Sequence, residues 1–324
     1  MPEDSQETTY EFDSRIARRT ILKAAGATAA LGSVTGVGAA QPDGNGPGSG
    51  NGSSNPNDID PIFGKAVAAG NPCAEDASED CFEEFRPPVR PDHEVEMRID
   101  IADLLFGLAE SGVLSGDEIE MLNDVVEDGE IRESERNNDL TFSVTLDGKM
   151  VPAEAIANAM IDSLGFNYDP VGLRVEPGDI VLYSAESPDH LVAAYHEGHG
   201  RQNRVPDEVG PISSPMPPVG GYWLYQFETE GVYDFYCSPH QTFGMVHRVV
   251  VTDDEEAPDL SIEEDYGTRR PPTEENALPS ILGGLDPNIP SSREALDSEA
   301  LEPGNIVDNE SVSWETVVEE HRNR

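Results

Sequence analysis

The sequence is poor in basic residues, above all in lysine. Its 324 residues include 20 Lys and Arg against 64 Asp and Glu, so the formal net charge is −44. The lysines are Lys23, Lys65 and Lys149. A surface this negative repels phosphate groups and anionic lipid headgroups, which disfavours binding to nucleic acids or membranes through a basic patch.

Long apolar runs and cysteines are also scarce. Beyond the N-terminal region, no segment approaches the roughly 20 apolar residues that a membrane-spanning helix needs. Of the three cysteines, Cys73 and Cys81 bracket a short acidic loop. In an oxidising compartment we expect these two to form a local disulfide, and the alternative, a metal site, lacks nearby histidines. Cys237 is then left as a free thiol.

An acid-rich, lysine-poor composition resembles that of proteins from extreme halophiles. Excess surface carboxylate mainly keeps a protein dissolved in concentrated salt. We therefore interpret the charge of −44 as a solvation property and not as the sign of a particular partner.

The N-terminal residues are typical of an export signal. Arg18 and Arg19 precede Thr-Ile-Leu-Lys and a weakly apolar run from Ala24 to Ala40. This pattern resembles a twin-arginine signal, a class that carries folded proteins across a membrane, and the alternative is a stray arginine pair before a poor helix. We expect residues 1–41 to be removed, which leaves a soluble protein outside the cell or at the outer face of the membrane.

Composition and periodicity divide the remainder of the chain into five segments. They are a flexible Gly/Ser/Asn/Pro linker (42–60), an N-terminal extension (61–91), a first strand with a helical insert (92–165), a β-rich core (166–253) and an acidic, partly disordered C-terminal tail (254–324). Alternating apolar residues predict strands around Val95–Ile99 and Leu140–Leu146. We expect the tail to wrap or fray, with one last helix around Trp314.

Metal-binding side chains concentrate near the end of the β-rich core. Cys237, His240 and Met245 follow the spacing Cys-x2-His-x4-Met. A thiolate, an imidazole and a thioether are soft ligands that suit copper, and a trigonal His2Cys site with a weak axial Met is the signature of blue-copper centres. The second imidazole must come from elsewhere, and His190, after the turn at Glu186–Asp189, is the candidate.

The stretch Gly231-x-Tyr233-x-Phe235-x-Cys237-x-Pro239-His240-x4-Met245 resembles the cupredoxin loop of plastocyanins, pseudoazurins and halocyanins. The resemblance covers Phe166 to about Thr252, under a third of the chain. It implies a mainly β fold, a Greek-key sandwich whose first strand is the one around Val95–Ile99, with the helices inserted after it.

The resemblance also assigns roles to the four residues. Cys237 would be the thiolate ligand, His190 and His240 the imidazole ligands and Met245 the axial thioether of one copper ion that cycles between Cu(II) and Cu(I). The sequence departs from the family at Leu191, because the family commonly has Asn after the first histidine, with a side-chain hydrogen bond that pins the two ligand loops.

The other histidines are weaker candidates for metal ligands. His196 and His199 form a His-x2-His pair that could hold a second metal but lacks a third ligand. His247 occupies a position where Gly is usual in the family, and we expect it to be exposed or satisfied in the core in preference to a fifth ligand. We interpret His93 and His321 as bystanders.

A site with four protein ligands leaves no position for substrate, which favours one-electron transfer and indicates that the protein is not an enzyme. The expected partners are redox proteins that dock on a small apolar rim around His240, made by Pro188, Pro239, Phe243 and residues 215–218. In about 1 M salt the Debye length is about 3 Å, so apolar contact should outweigh charge steering. The alternatives are a copper carrier or storage protein, and a recognition module in which copper is only structural.

Overall fold

The computed structural model describes most of the chain after the predicted linker. The described residues are 59–74, 81–99, 113–115, 117–118, 121–122, 142–146, 149–153, 156, 165–277 and 289–324. The predicted export signal, nearly all of the linker and most of the predicted helical insert lie outside them. None of the helices in the described part has the length and apolar character needed to cross a lipid bilayer.

The described elements are mostly β-strands. In chain order they are β1 (Lys65–Val67), β2 (His93–Ile99), β3 (Ser143–Leu146), β4 (Lys149–Pro152), β5 (Phe166–Asp169), β6 (Gly172–Val175), β7 (Ile180–Ala185), β8 (Ala193–Ala194), β9 (Tyr222–Gln226), β10 (Gly231–Tyr236), β11 (Val246–Val251), β12 (Ser311–Val312) and the helices α1 (Ser292–Leu296), α2 (Pro303–Asn309) and α3 (Trp314–Arg322). Single 3-10 turns occur at Cys81–Glu84, Glu197–His199, Gln241–Phe243 and Glu299–Leu301.

Two five-stranded sheets form the sandwich. One has the strand order β1-β9-β7-β2-β5 and the other β12-β6-β11-β10-β8, while β3 and β4 form a separate pair. The strand predicted around Val95–Ile99 is present as β2, and its buried residues alternate as expected for a strand with one face on the core. It is not the first strand, because the short β1 precedes it and pairs with β9 at the sheet edge. The pair β3–β4 contains most of the strand predicted at Leu140–Leu146.

Strands β7, β8 and β11 are buried at every residue, since the sandwich is covered on its outer faces as well. In β7, Ile180 and Leu182 belong to a second apolar cluster that contains Phe85 and the Cys73–Cys81 disulfide, whereas Val181, Tyr183 and Ala185 belong to the main core. The predicted disulfide is thus present. It belongs to an extension that seals the outer face of the first sheet, which explains why β7 shows no polar alternation.

The last part of the predicted C-terminal tail is folded and packs against the sandwich. Residues 289–324 form α1, α2, β12 and α3, and β12 extends the second sheet by pairing with β6. Leu301, Ile306 and Trp314 are fully buried in the main core. The helices are short, so their apolar residues are too scattered to show a sustained period, and packing on the outer face of the sheet stabilises them. The helix predicted around Trp314 is confirmed as α3.

Replacing Trp314 measures how much the folded tail contributes. Trp314→Ala leaves a large cavity in a fully buried position, so we expect it to lower the free energy of unfolding by about 3–5 kcal/mol. Denaturant unfolding gives the value. Ile262→Ala, at a position that is 37% exposed, is the control and should cost about 0.5 kcal/mol or less. Equal small effects would show that the tail contributes nothing to folding.

Glu94 on β2 is a half-buried carboxyl beside the disulfide. Its Oε1 has no hydrogen-bond partner among the described residues. Burial and the negative charges of Glu96 and Glu186 raise the pKa of Glu94 to about 8. The folded protein therefore holds a proton on Glu94 between about pH 4.5 and pH 8, where the unfolded chain does not.

The raised pKa of Glu94 predicts that the free energy of unfolding falls as the pH rises toward 8. Over this range the folded protein keeps a proton on Glu94 that the unfolded chain has released, so each rise in pH favours the unfolded chain. Glu94→Gln removes the titration, so the variant should lose less stability over that range than the parent protein. Unfolding free energies measured from pH 5 to about 9 test this. Glu84→Gln on the exposed surface is the control. Parallel pH profiles for the parent protein and Glu94→Gln would contradict the prediction.

Candidate metal centre

The β10–β11 hairpin positions three of the four predicted ligands. Cys237 directly follows β10 and Met245 directly precedes β11. The Cys237 N–H donates to the Met245 carbonyl at 3.2 Å, and the N–H groups of His240 and Met245 donate to the Cys237 and His240 carbonyls at 3.0 and 3.3 Å. These bonds close a tight loop. Gly244 completes it at φ 94°, where a Cβ would lie 2.3 Å from the Pro290 carbonyl oxygen, so only glycine fits.

His190 reaches the same place from the loop that follows β7. Ser187 holds the ring, because its Oγ lies 2.7 Å from His190 Nε2 and also accepts the Ile99 N–H at 2.7 Å. The Nε2 contact leaves Nδ1 free to face the centre of the site. A hydrogen bond to the outer nitrogen of a ligating imidazole sets the ring orientation and its tautomer.

Three donor atoms converge from these two loops. The Cys237 Sγ lies 3.4 Å from His240 Nδ1 and 3.9 Å from His190 Nδ1, and the two Nδ1 atoms are 3.2 Å apart. With metal–ligand bonds of about 2.0–2.3 Å, atoms at these separations can share one ion. The donor set is one thiol and two imidazoles, which fits copper. Met245 is fully buried in the core on the same loop, and its role as an axial ligand stays a prediction.

Burial sets the protonation of the donor atoms. It lowers the pKa of His240 to about 4, and burial together with the nearby His240 lowers the pKa of His190 to about 3. Both imidazoles are therefore neutral at neutral pH and each can offer a lone pair. Burial raises the pKa of the Cys237 thiol to about 12, so a metal ion must displace that proton when it binds.

The donors are shielded from water on all but one side. His190 and Cys237 are fully buried, whereas 8% of His240 is exposed. The His240 ring stacks on Phe166 with ring centroids 4.2 Å apart, and Phe166 stacks in turn on Phe243. The site thus approaches the surface at the His240 imidazole. Phe166 and Ser187 were not identified from the sequence, because neither carries a spacing signal that ties it to the ligand loop.

The other histidines do not join the cluster. His247 is buried, with its Nδ1 2.9 Å from the Val171 carbonyl oxygen. It therefore lies in the core, which is one of the two positions expected for it. His196 accepts the Gly198 N–H, and His199 Nδ1 lies 3.0 Å from the Ala194 carbonyl oxygen. The His93 Nε2 lies 2.9 Å from the carboxylate of Asp179, in the turn that precedes β7. In the described part of the chain, these side chains form no group of three metal ligands.

A buried ionic cluster fixes the hairpin that carries the ligand loop. Asp234 of β10 accepts hydrogen bonds from Arg248 of β11 at 2.6 and 2.9 Å, and from Arg204 at 2.7 Å. Burial alone raises the pKa of Asp234, but the two guanidinium groups outweigh it, and the net pKa is below the usual value. Arg248 also donates to the Leu301 carbonyl at 2.6 Å, which joins the hairpin to the C-terminal segment.

The C-terminal segment also holds the ligand loop from outside. The hydroxyls of Thr273 and Ser292 donate to the Gln241 carbonyl at 3.0 and 2.7 Å. The Ala277 N–H donates to the Thr242 carbonyl at 2.7 Å. This part of the chain, which was expected to wrap or fray, is therefore packed against the loop between His240 and Met245.

Comparison with known proteins agrees with this geometry. Residues 155–252 match the family model described as copper binding proteins, plastocyanin/azurin family. Pseudoazurin from Methylorubrum extorquens (strain AM1) is 33% identical over 86 residues, which are 26% of this chain and 52% of that protein. The chain thus spans about half the length of the curated relative it matches.

Two solved structures are among those similar to part of the chain. The crystal structure of pseudoazurin from Methylobacterium extorquens AM1 is 31% identical, covering 28% of this chain and 66% of that chain, with a TM-score of 0.24. A reduced Cu(I) form of an amicyanin mutant is 25% identical, covering 26% of this chain and 72% of that chain, with a TM-score of 0.21.

Residues 155–252 are thus similar to this copper-binding family, and the described part of the chain is mainly β, as the sequence predicted. Copper is the metal that this family binds. The predicted β-rich core at residues 166–253 overlaps the matched region closely.

Removing the charge of Asp234 tests its structural role. Asp234→Asn preserves the size of the side chain but leaves two buried guanidinium groups without a counter-ion, so we expect the free energy of unfolding to fall by about 3–5 kcal/mol. Denaturant unfolding of the metal-free protein measures the change.

Glu310→Gln is the matched control, because Glu310 pairs with Arg174 but its side chain is 75% exposed. An exposed ion pair contributes about 0–1 kcal/mol. Similar losses in the two variants would contradict the structural role assigned to the buried cluster.

Proposed function

We propose that this protein is an exported blue-copper electron carrier, in which His190, Cys237, His240 and Met245 hold one copper ion. The observation that carries the proposal is the convergence of the Cys237 sulfur and two histidine Nδ1 atoms, all within 3.9 Å of one another. The match to a copper-binding family over residues 155–252 supports it independently.

The bound metal would supply a one-electron couple between Cu(II) and Cu(I). The protein's part is to keep the donors fixed while the charge of the site changes. The hairpin, the Ser187 contact and the bonds from the C-terminal segment all restrict the ligand loops. A site that does not rearrange exchanges electrons without waiting for ligand motion or for water to enter.

Among the described residues, the buried donors leave no open position for a substrate, which supports a carrier in preference to an enzyme. Three donors are nine-tenths or more buried, and the described surroundings are aromatic and apolar. The curated relative that the chain matches is a pseudoazurin, and the matching family model describes copper binding proteins. Electron transfer at such a site needs no reacting molecule beyond a partner that gives or takes an electron.

The electron would leave through the His240 imidazole, which is the one partly exposed donor of the three. Pro188 and Pro239 are exposed and Phe243 is half-buried, so an apolar rim next to His240 is available to a partner protein. In concentrated salt, screening limits the reach of the 64 carboxylates, and contact at this rim should determine docking. Such encounters are expected to be small and brief.

Export follows from the arginine pair and the apolar run that precede residue 41. A disulfide between Cys73 and Cys81 supports an oxidising location, because such bonds persist outside the reducing cytosol. Together these features favour a protein that works outside the membrane.

Copper loading tests the proposal. The full chain reconstituted with Cu(II) should bind one ion and show an intense thiolate-to-copper absorption band in the visible region. Cys237→Ser removes the thiolate and should abolish the band. The double variant Cys73→Ala/Cys81→Ala is the matched control, because it removes the other sulfurs and should keep the band.

A protein that binds no copper, or that stays colourless with copper bound, would overturn the proposed function. Bleaching by ascorbate and recovery with ferricyanide should follow one electron per chain. Release of copper to a chelator without reversible bleaching would instead indicate a copper carrier or storage protein.

A further inference from the structure

We propose that Tyr168 is a positioning residue for the metal centre, in which its hydroxyl fixes the peptide of Leu191 against the Cys237 sulfur and thereby raises the reduction potential. This inference rests on the proposed function, because it concerns the same site. Tyr168 lies on β5 and was not identified from the sequence.

The evidence begins with one short contact. The Tyr168 hydroxyl donates to the Leu191 carbonyl at 2.5 Å, in a position where the tyrosine is fully buried. The Leu191 N–H belongs to the same residue and acts to lower the pKa of the Cys237 thiol, against the larger effect of burial. Tyr168 therefore holds the residue that follows His190 and that favours the thiolate form of Cys237.

The backbone and the ring of Tyr168 are both held in place by neighbouring residues, which makes Tyr168 a rigid support. Its backbone pairs with Met97 in the ladder between β5 and β2. Its ring lies against the His247 ring, with centroids 5.4 Å apart, and His247 is fixed through its contact with the Val171 carbonyl. Because the Tyr168 ring is already immobile, its hydroxyl binds the Leu191 carbonyl without a further loss of side-chain entropy.

Leu191 needs such a support because its own side chain is aliphatic. It packs against the main core but can form no hydrogen bond to the loop that carries Cys237 and His240. At Leu191 the His190 loop is therefore tied to the sheet through its backbone, with Tyr168 as the donor, in addition to the bond between Ser187 and Ile99.

The expected effect on the copper site follows from charge. A donor near the thiolate withdraws electron density from the sulfur, and this favours Cu(I) over Cu(II). Here that donor is the Leu191 N–H, and the Tyr168 hydroxyl acts on the sulfur by holding the Leu191 peptide in place. Loss of the hydroxyl should therefore shift the one-electron equilibrium toward Cu(II).

Tyr168→Phe removes one oxygen atom and keeps the ring, so it is the test variant. Tyr233→Phe is the matched control, because the Tyr233 hydroxyl also donates to a backbone carbonyl, that of Thr229 at 2.7 Å, but on the strand end remote from the ligand loop. Both copper-loaded variants are equilibrated with a ferricyanide/ferrocyanide couple, which supplies or accepts the single electron, and the visible band reports the fraction of Cu(II).

We expect Tyr168→Phe to shift this equilibrium by about three- to tenfold toward Cu(II), the range that one hydrogen bond supplies, and Tyr233→Phe to leave it unchanged. A second readout needs no copper. In the metal-free protein, hydrogen exchange at the Leu191 amide should become about three- to tenfold faster in Tyr168→Phe alone.

Two results would overturn the inference while leaving the proposed function intact. One is a Tyr168→Phe protein with an unchanged equilibrium and unchanged Leu191 exchange. The other is an equal change in both variants, which would indicate general loosening of the fold. A parent protein without the visible copper band would overturn the proposed function itself, so the two failures are distinguishable.

Discussion

The interaction on which the site depends is the buried pairing of Asp234 with Arg204 and Arg248. Three charged groups in a dry interior are stable only when their hydrogen bonds are satisfied together, so their positions constrain one another. Asp234 and Arg248 face each other across β10 and β11, just behind the loop that carries Cys237, His240 and Met245. The base of that loop is fixed before any metal binds.

The same cluster connects the hairpin with the rest of the chain. Arg248 extends the network to the Leu301 carbonyl, and the segment around α1 bonds to the Gln241 carbonyl on the ligand loop. The C-terminal segment therefore supports the loop both at its base and at its tip. A protein with a charge of −44 gains from this arrangement, since its folded state must resist the mutual repulsion of surface carboxylates.

Several features were predictable because they depend on local order. Alternation at Val95, Met97 and Ile99 predicted β2, and soft ligands at Cys237, His240 and Met245 predicted a copper loop. The C-terminal segment was not predictable in the same way. Its short helices have little intrinsic stability, and their apolar residues gain order only from the sheet face that they cover. A tail rich in acidic residues and proline then looks disordered when it is judged on composition alone.

The sequence by itself determined which candidate ligands share one loop, because residue identity and spacing within a loop are local properties of the chain. Tertiary structure alone decided which residues surround those ligands. Tyr168 meets Leu191, and Ser292 meets Gln241, across long separations in the chain. Each of these contacts joins an ordinary hydroxyl to a backbone carbonyl, and such pairs have no characteristic spacing. They exist only because the sandwich brings distant strands and the C-terminal segment to one end of the molecule.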